Sequence, residues 1–287
     1  MSLKELVGQT ATLTIARTAP FGYFLTDGNE DVLLHINEVD KELVEGEQVE
    51  VFLYVDSHGR TTASTKIPEI AVDRYAWVKV TDTNPEIGVF LNIGLQKDVL
   101  LGADDLPAHR SVWPQVGDYL YITLRVNRNF LLYAKLASDQ VIQSISQKAT
   151  RKDFNKNVQG HVYRTAKVGS WICTIEGFKG FIHESQRDQE PRLGEKVEGR
   201  IIDIKEDGSV NVSLLARKEE SLDQDATLIY EYLVSRNGAM PFSDKSMPED
   251  IKERFGLSKG AFKRALGKLM KDGKIYQEDN WTYIKKS

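Results

Sequence analysis

Phe21-Gly22-Tyr23-Phe24-Leu25-Thr26-Asp27 leads through Gly28 into Asp31-Val32-Leu33-Leu34-His35-Ile36. Apolar and polar residues alternate on both sides of a Gly-Asn turn, the pattern of two short antiparallel strands with one buried face. The pattern returns as Ile87-Gly88-Val89-Phe90-Leu91 before Asp98-Val99-Leu100-Leu101, and as Val168-Gly169-Ser170-Trp171-Ile172 before Lys179-Gly180-Phe181-Ile182-His183. Each copy is followed by a Gly-acid cue: Gly46-Glu47, Gly117-Asp118 and Gly194-Glu195. One unit therefore occurs three times, at a spacing of roughly 65 to 80 residues.

Working outward, Thr10 to Ile15 alternates ahead of the first copy, and Val49 to Val55 and Thr61 to Ser64 follow it. Five short strands with a longer excursion between the third and fourth describe a small Greek-key barrel of the OB type. The same order predicts barrels over residues 1–68, 69–137 and 155–218, with 138–154 a polar linker that carries some helix. Beyond Lys218 the period changes from two to 3.6. Leu228, Ile229, Tyr232 and Leu233 form one helical stripe, Pro248 to Phe255 a second helix, and Ser258 caps a third that runs to about Lys271. On that third helix Phe262, Ala265, Leu266, Leu269 and Met270 are expected to face a core. Strands Lys274–Gln277 and Trp281–Ile284 complete a winged helix-turn-helix over 222–287. The fold class is mainly β and multidomain.

Composition narrows the function. With 287 residues and 28% charged residues the chain has the make-up of a soluble globular protein. Its one cysteine, Cys173, excludes a disulfide framework and a multi-cysteine zinc site, and between apolar neighbours it reads as a buried, inert thiol. The opening Met1-Ser2-Leu3-Lys4-Glu5-Leu6 has no apolar signal core. No stretch approaches the roughly 18 apolar residues of a membrane span, so a reducing cytoplasm and no membrane partner are expected. No phosphate-binding Gly-rich loop, His-Glu-x-x-His or dinucleotide fingerprint occurs, which makes a non-enzyme without cofactor or metal the expectation.

The net charge of −4 hides an asymmetry. Lys+Arg stand against Asp+Glu as 5 to 11 in residues 1–68 and 7 to 9 in 69–146. They stand as 14 to 12 in 147–220 and 12 to 9 in 225–287. A phosphate-binding surface therefore belongs in the C-terminal half.

Phe21-Gly22-Tyr23-Phe24 followed by Leu33-Leu34-His35 resembles the signature of the S1 RNA-binding domain: aromatic, Gly, any residue, aromatic on the second strand, then aliphatic-His on the third. The resemblance implies that Phe21, Phe24 and His35 lie on one face of the barrel and stack on bases. The third unit matches with Trp171 and His183, with Val168 in place of the leading aromatic. Arg164, Lys167 and Lys179 lie close enough in sequence to meet phosphates. The second unit keeps Ile87 and Phe90 but has Gly102 where the His would stand, which makes it a spacer or packing surface. An aromatic on a strand serves as readily for core as for platform, and Trp171 could equally close a barrel end. The basic residues Lys259, Lys263, Arg264, Lys268 and Lys271 occupy the recognition-helix position, where any amphipathic helix also needs charge. His58, His109 and His161 stand alone and read as solvated or locally bonded.

Three S1-like units with a terminal winged helix resemble, in that order, the conserved virulence factor B (CvfB) family of Gram-positive bacteria. The resemblance implies an RNA-binding regulator of gene expression, with single-stranded RNA as partner, gripped by the S1-like barrels with help from the winged helix. A transcription factor that binds duplex DNA through the winged helix is the rival reading, and an accessory subunit of an RNA-processing or translation complex is a third. RNA sequence preference, domain orientation and oligomeric state stay open at this level.

Overall fold

β1 (Thr10–Ala19), β2 (Gly22–Thr26), β3 (Asp31–His35), β4 (Gln48–Val55) and β5 (Thr61–Ser64) close into a barrel in the order β1-β2-β3-β5-β4. The computed structural model describes residues 2–285 except 40 and 57, and for residues 218–220 the backbone alone. The second barrel repeats that circuit with β6 (Ala76–Asn84), β7 (Gly88–Leu91), β8 (Val99–Gly102), β9 (Tyr119–Val126) and β10 (Leu132–Leu136). A short helix, α1 (Asp139–Ile145), precedes the third. That barrel consists of β11 (Asn157–Ala166), β12 (Gly169–Thr174), β13 (Lys179–His183), β14 (Lys196–Ile204) and β15 (Val210–Ser213). The period-two alternation thus yields three closed five-stranded barrels, with no sheet edge left open in any.

Two local devices recur in all three. The first strand of each barrel is long and shifts register once, between Ile15 and Arg17, Val80 and Asp82, and Val162 and Arg164. The bulge bends the strand, so its first half pairs with the fourth strand and its second half with the second strand. The motif glycine answers a different need. A Cβ at Gly22 (φ +150°) would overlap the Leu34 carbonyl oxygen, and one at Gly88 the Leu101 carbonyl oxygen. Only glycine lets the second and third strands approach this closely at the turn.

The barrels are joined through shared core. Phe52 and Tyr54 of β4 pack with the second barrel's core, and so does Leu193 of the third. Leu193 donates its N–H to the Val112 carbonyl at 2.9 Å, Tyr119 donates to Gly194 at 3.0 Å, and Arg192 bridges to Asp118 at 3.3 Å. The linker docks as well. Ile142 of α1 is fully buried with Tyr163 and Cys173 of the third barrel, against Trp77 and Tyr121 of the second. Cys173 is buried, and burial pushes its thiol pKa up. His161 departs from the expectation of a solitary histidine. Its ring sits between Trp77 at 5.2 Å and Tyr119 at 5.4 Å, at the junction of the second and third barrels.

Residues 215–287 form a separate unit. It holds α2 (Lys218–Ser235), β16 (Ala239–Met240), α3 (Pro248–Phe255), α4 (Lys259–Lys271), β17 (Ile275–Glu278) and β18 (Trp281–Ile284), with the strands in the order β16-β18-β17. Ser258 caps α4 through the Ala261 N–H at 3.2 Å. Asp279 (φ +48°) and Asn280 (φ +66°) make the two-residue hairpin turn between the last strands. The core gathers Ala226, Ile229 and Leu233 of α2, Ile251 and Phe255 of α3, and Phe262, Ala265, Leu266 and Leu269 of α4. Met270, expected in this core, is exposed, and so is Leu228, expected on one stripe with Ile229 and Leu233. At 100° per residue Leu228 lies on the far side of α2 from its buried row, and Met270 at the margin of the α4 stripe. β16 has too few residues to carry a legible alternation. Among the described residues no helix is long and apolar enough to cross a membrane.

Candidate nucleic-acid interface

Along β12 and β13 the strand period sends Ile172 and Ile182 inward, and Trp171, Phe181 and His183 outward. The register sets Trp171 directly across from Phe181, with ring centroids 4.9 Å apart, and Phe181 meets His183 at 6.2 Å. Arg164, opposite Trp171 on β11, lays its guanidinium carbon 4.5 Å from the Trp171 ring centroid. Lys205 reaches the Phe181 ring at 5.7 Å. Phe181, His183, Lys205 and Asn211 share a shallow cleft. The result is a partly exposed aromatic row bordered by two cations, which can stack unpaired bases and meet their phosphates. Lys167 and Val168 are exposed beside this row.

The first barrel builds a smaller version. Phe21 is half-exposed and meets Phe24 edge-on at 6.1 Å. Arg17, opposite Phe24, covers that ring with its guanidinium carbon 3.5 Å from the centroid. Tyr23, between them in sequence, points inward and accepts the Leu43 N–H at 3.3 Å. Leu33 stands where the third barrel has Phe181, so the row is shorter by one ring.

The two motif histidines share a second duty. His35 Nδ1 accepts the Asn37 N–H at 3.2 Å, and His183 Nδ1 accepts the Ser185 N–H at 3.2 Å. Each imidazole thus caps the short helical turn after the third strand. Accepting at Nδ1 puts the proton of the neutral ring on Nε2, which becomes a donor on the platform side chain. In the second barrel Gly102 provides no such cap, and Phe90 pairs with Leu100 rather than a ring. Asp82, not an arginine, stands opposite Phe90.

Other candidate residues have partners. Lys179 donates to Asp139 of α1 at 2.7 Å and to Gln143 at 3.1 Å, and it is largely buried. Tyr163 donates to the same carboxylate at 2.8 Å. Partial burial pushes the Asp139 carboxyl up, but the hydrogen bonds from Lys179 and Tyr163 outweigh it and hold the pKa below its ordinary value. In the winged-helix unit, Lys268 is ion-paired with Asp223 and Lys263 lies 3.9 Å from Asp244. Arg264 acts on Asp225, where it offsets part of the burial that pushes that carboxyl up. Lys259 is partly exposed and Lys271 exposed.

Sequence reasoning passed over Arg17, Phe181 and Lys205. Phe181 was within reach, since it lies two residues before His183 and so on the same strand face. Arg17 was not, because its pairing with Phe24 depends on a bulge that alternation alone does not reveal.

Comparison with known proteins finds four matching family models. Residues 7–66 match the S1 domain, and 75–135 match the CvfB first S1-like domain. Residues 142–216 match the second domain of virulence regulatory factor CvfB, and 227–284 the CvfB-like winged helix domain. The uncharacterized protein YitL of Bacillus subtilis is 50% identical over 279 residues, covering 97% of this chain and 94% of that protein. Conserved virulence factor B of Staphylococcus aureus is 39% identical over 272 residues, covering 93% of this chain and 90% of that one. A crystal structure of a multidomain protein with nucleic acid binding domains from Streptococcus pneumoniae superposes with a TM-score of 0.69 at 34% identity. It covers 98% of this chain and 99% of that one. These are S1-type and winged-helix modules rather than enzymatic ones, and with relatives of this identity and coverage the chain belongs to the CvfB family.

Proposed function

We propose that this protein binds single-stranded RNA and regulates gene expression after transcription, with the third barrel as its principal grip. One observation carries the reading: Trp171, Phe181 and His183 form a partly exposed row flanked by Arg164 and Lys205. A duplex hides its base faces, whereas an unpaired strand offers one to each ring. The excess of cations over acids in residues 147–220, 14 to 12, favours phosphate on the same side of the chain. The first barrel contributes more weakly, because its surroundings are acidic and Leu33 shortens its row. The virulence-factor name of the staphylococcal relatives fits a regulator whose targets are transcripts.

Filter binding of the full chain to single-stranded RNA, single-stranded DNA and duplex DNA at two salt concentrations tests this. Single-stranded RNA is expected to bind tightest, with a negative slope of log K against log salt. Tight duplex DNA binding with none to single strands would overturn the reading.

A further inference from the structure

The wing of the winged-helix unit has an inner and an outer face. Ile275 and Thr282 point inward and are buried. Tyr276, Trp281 and Tyr283 point the other way. Tyr276 pairs with Tyr283 across the ladder, with centroids 5.2 Å apart and planes within 21°. Trp281 lies 6.4 Å from Tyr283, again within 21°. Three large rings thus stand near-parallel on one outward face, and Tyr276 and Trp281 remain 44% and 42% exposed. Cross-strand support of a hairpin accounts for the Tyr276–Tyr283 pair. It does not account for Trp281, whose cross-strand partner is Glu278.

We propose that Tyr276, Trp281 and Tyr283 form a second stacking surface, for unpaired bases of single-stranded RNA. The inference rests on the RNA-binding reading above and extends it to a surface outside the S1 motif. Near-parallel exposed rings suit the π-face of a base, which only an unpaired strand presents. Lys285 follows Ile284 at the open end of the ladder, and alternation places it on the side of Tyr283, where it can meet a phosphate. Meanwhile α4, the element that would enter a duplex groove, has Lys268 engaged with Asp223 and Lys263 near Asp244.

The test uses the full chain and a fluorescein-labelled, mixed-sequence single-stranded oligoribonucleotide, read by anisotropy. Trp281→Ala and Tyr276→Ala should each weaken binding about five- to a hundredfold, and Trp281→Phe, which keeps a ring, should retain most of it. Trp171→Ala is measured alongside, because it reports on the third barrel. Lost affinity at Trp171 with none lost at Trp281 or Tyr276 overturns the wing surface and leaves the barrel reading standing. No binding by the parent chain overturns both. Photocrosslinking of the unaltered chain to 5-iodouridine-substituted RNA is independent of variant folding. Adducts on the peptide that contains Trp281 are expected, and adducts confined to residues 1–214 overturn the proposal. It also fails if Trp281→Ala breaks up a dimer or a protein complex while RNA affinity is unchanged.

Discussion

Asp82 faces Phe90 across β6 and β7, at the register position where Arg17 faces Phe24 and Arg164 faces Trp171. The three barrels share one backbone plan, yet the second has exchanged the cation over the ring for a carboxylate. A negative charge there repels phosphate and offers no cation–π contact to the ring. The missing histidine and missing third ring point the same way. Phe90→Ala should therefore leave RNA affinity within about twofold. Trp171→Ala should reduce it by about 1–3 kcal/mol, the worth of one stacked base. Anisotropy titrations with parallel thermal melts decide the matter. A large affinity loss at Phe90 without a change in melting temperature would make the second barrel a binder.

Arg164 and Lys167 stand beside the Trp171 row with their charges accessible to a backbone. Each phosphate contact removed should lower the magnitude of the salt slope by roughly one. Arg164→Ala and Lys167→Ala are thus expected to flatten the plot of log K against log salt, and Lys179→Ala to leave its slope unchanged. A slope indifferent to Arg164 and Lys167 would place the phosphates elsewhere.

Lys179 serves instead to hold the linker. Its bond to Asp139, with the burial of Ile142, ties α1 to the third barrel. Ile142→Ala should cost about 2–5 kcal/mol in urea unfolding, as a buried truncation does. A passive tether would cost nothing. Lys179→Met keeps most of the stem's packing but removes the donor, and should cost about 1–2 kcal/mol, discounted because Asp139 is partly exposed. The Asp139 carboxyl titrates below its ordinary value of 3.8 when folded. Its stabilisation is therefore present above pH 3.8 and is lost as pH falls through the lowered value. The gap between parent and Lys179→Met should be widest near neutral pH and close under acid. A gap that widens on acidification would contradict the pairing.

The barrels were legible because each buries one face of every strand, and that burial writes a period of two into the chain. The three-helix and hairpin plan of the last unit was legible from its change of period. What escaped lies where the backbone departs from a simple period. The bulges that set Arg17 and Arg164 over their rings add one residue to a strand without altering its composition. The two-residue β16 is too short to show alternation. The pairing of Lys179 with Asp139 joins residues 40 positions apart through the docking of a helix whose sequence looks like a polar tether. On the site, the sequence marked Trp171 and His183 but did not show that Lys268 and Lys263 of α4 lie beside Asp223 and Asp244, carboxylates brought to them by the fold from α2 and from the loop before α3.

His183 combines two functions that can be separated. Its Nδ1 caps the turn at Ser185, a structural role, while the proton placed on Nε2 is available for a base or ribose. Replacement by alanine removes both, and loss of a side-chain cap alone costs about 0.5–2 kcal/mol of stability. Asparagine can accept the same N–H through its side-chain oxygen but provides neither the ring nor a donor in the same place. His183→Asn should then melt close to the parent, while its RNA affinity falls severalfold. His183→Ala should lose both stability and affinity. If both variants bind RNA as tightly as the parent and differ only in melting, the imidazole is a cap and nothing more. The same comparison at His35 is expected to show a smaller change in affinity, because the first barrel has Leu33 where the third has Phe181. Circular dichroism melts and anisotropy on the four variants suffice to separate the cap from the contact.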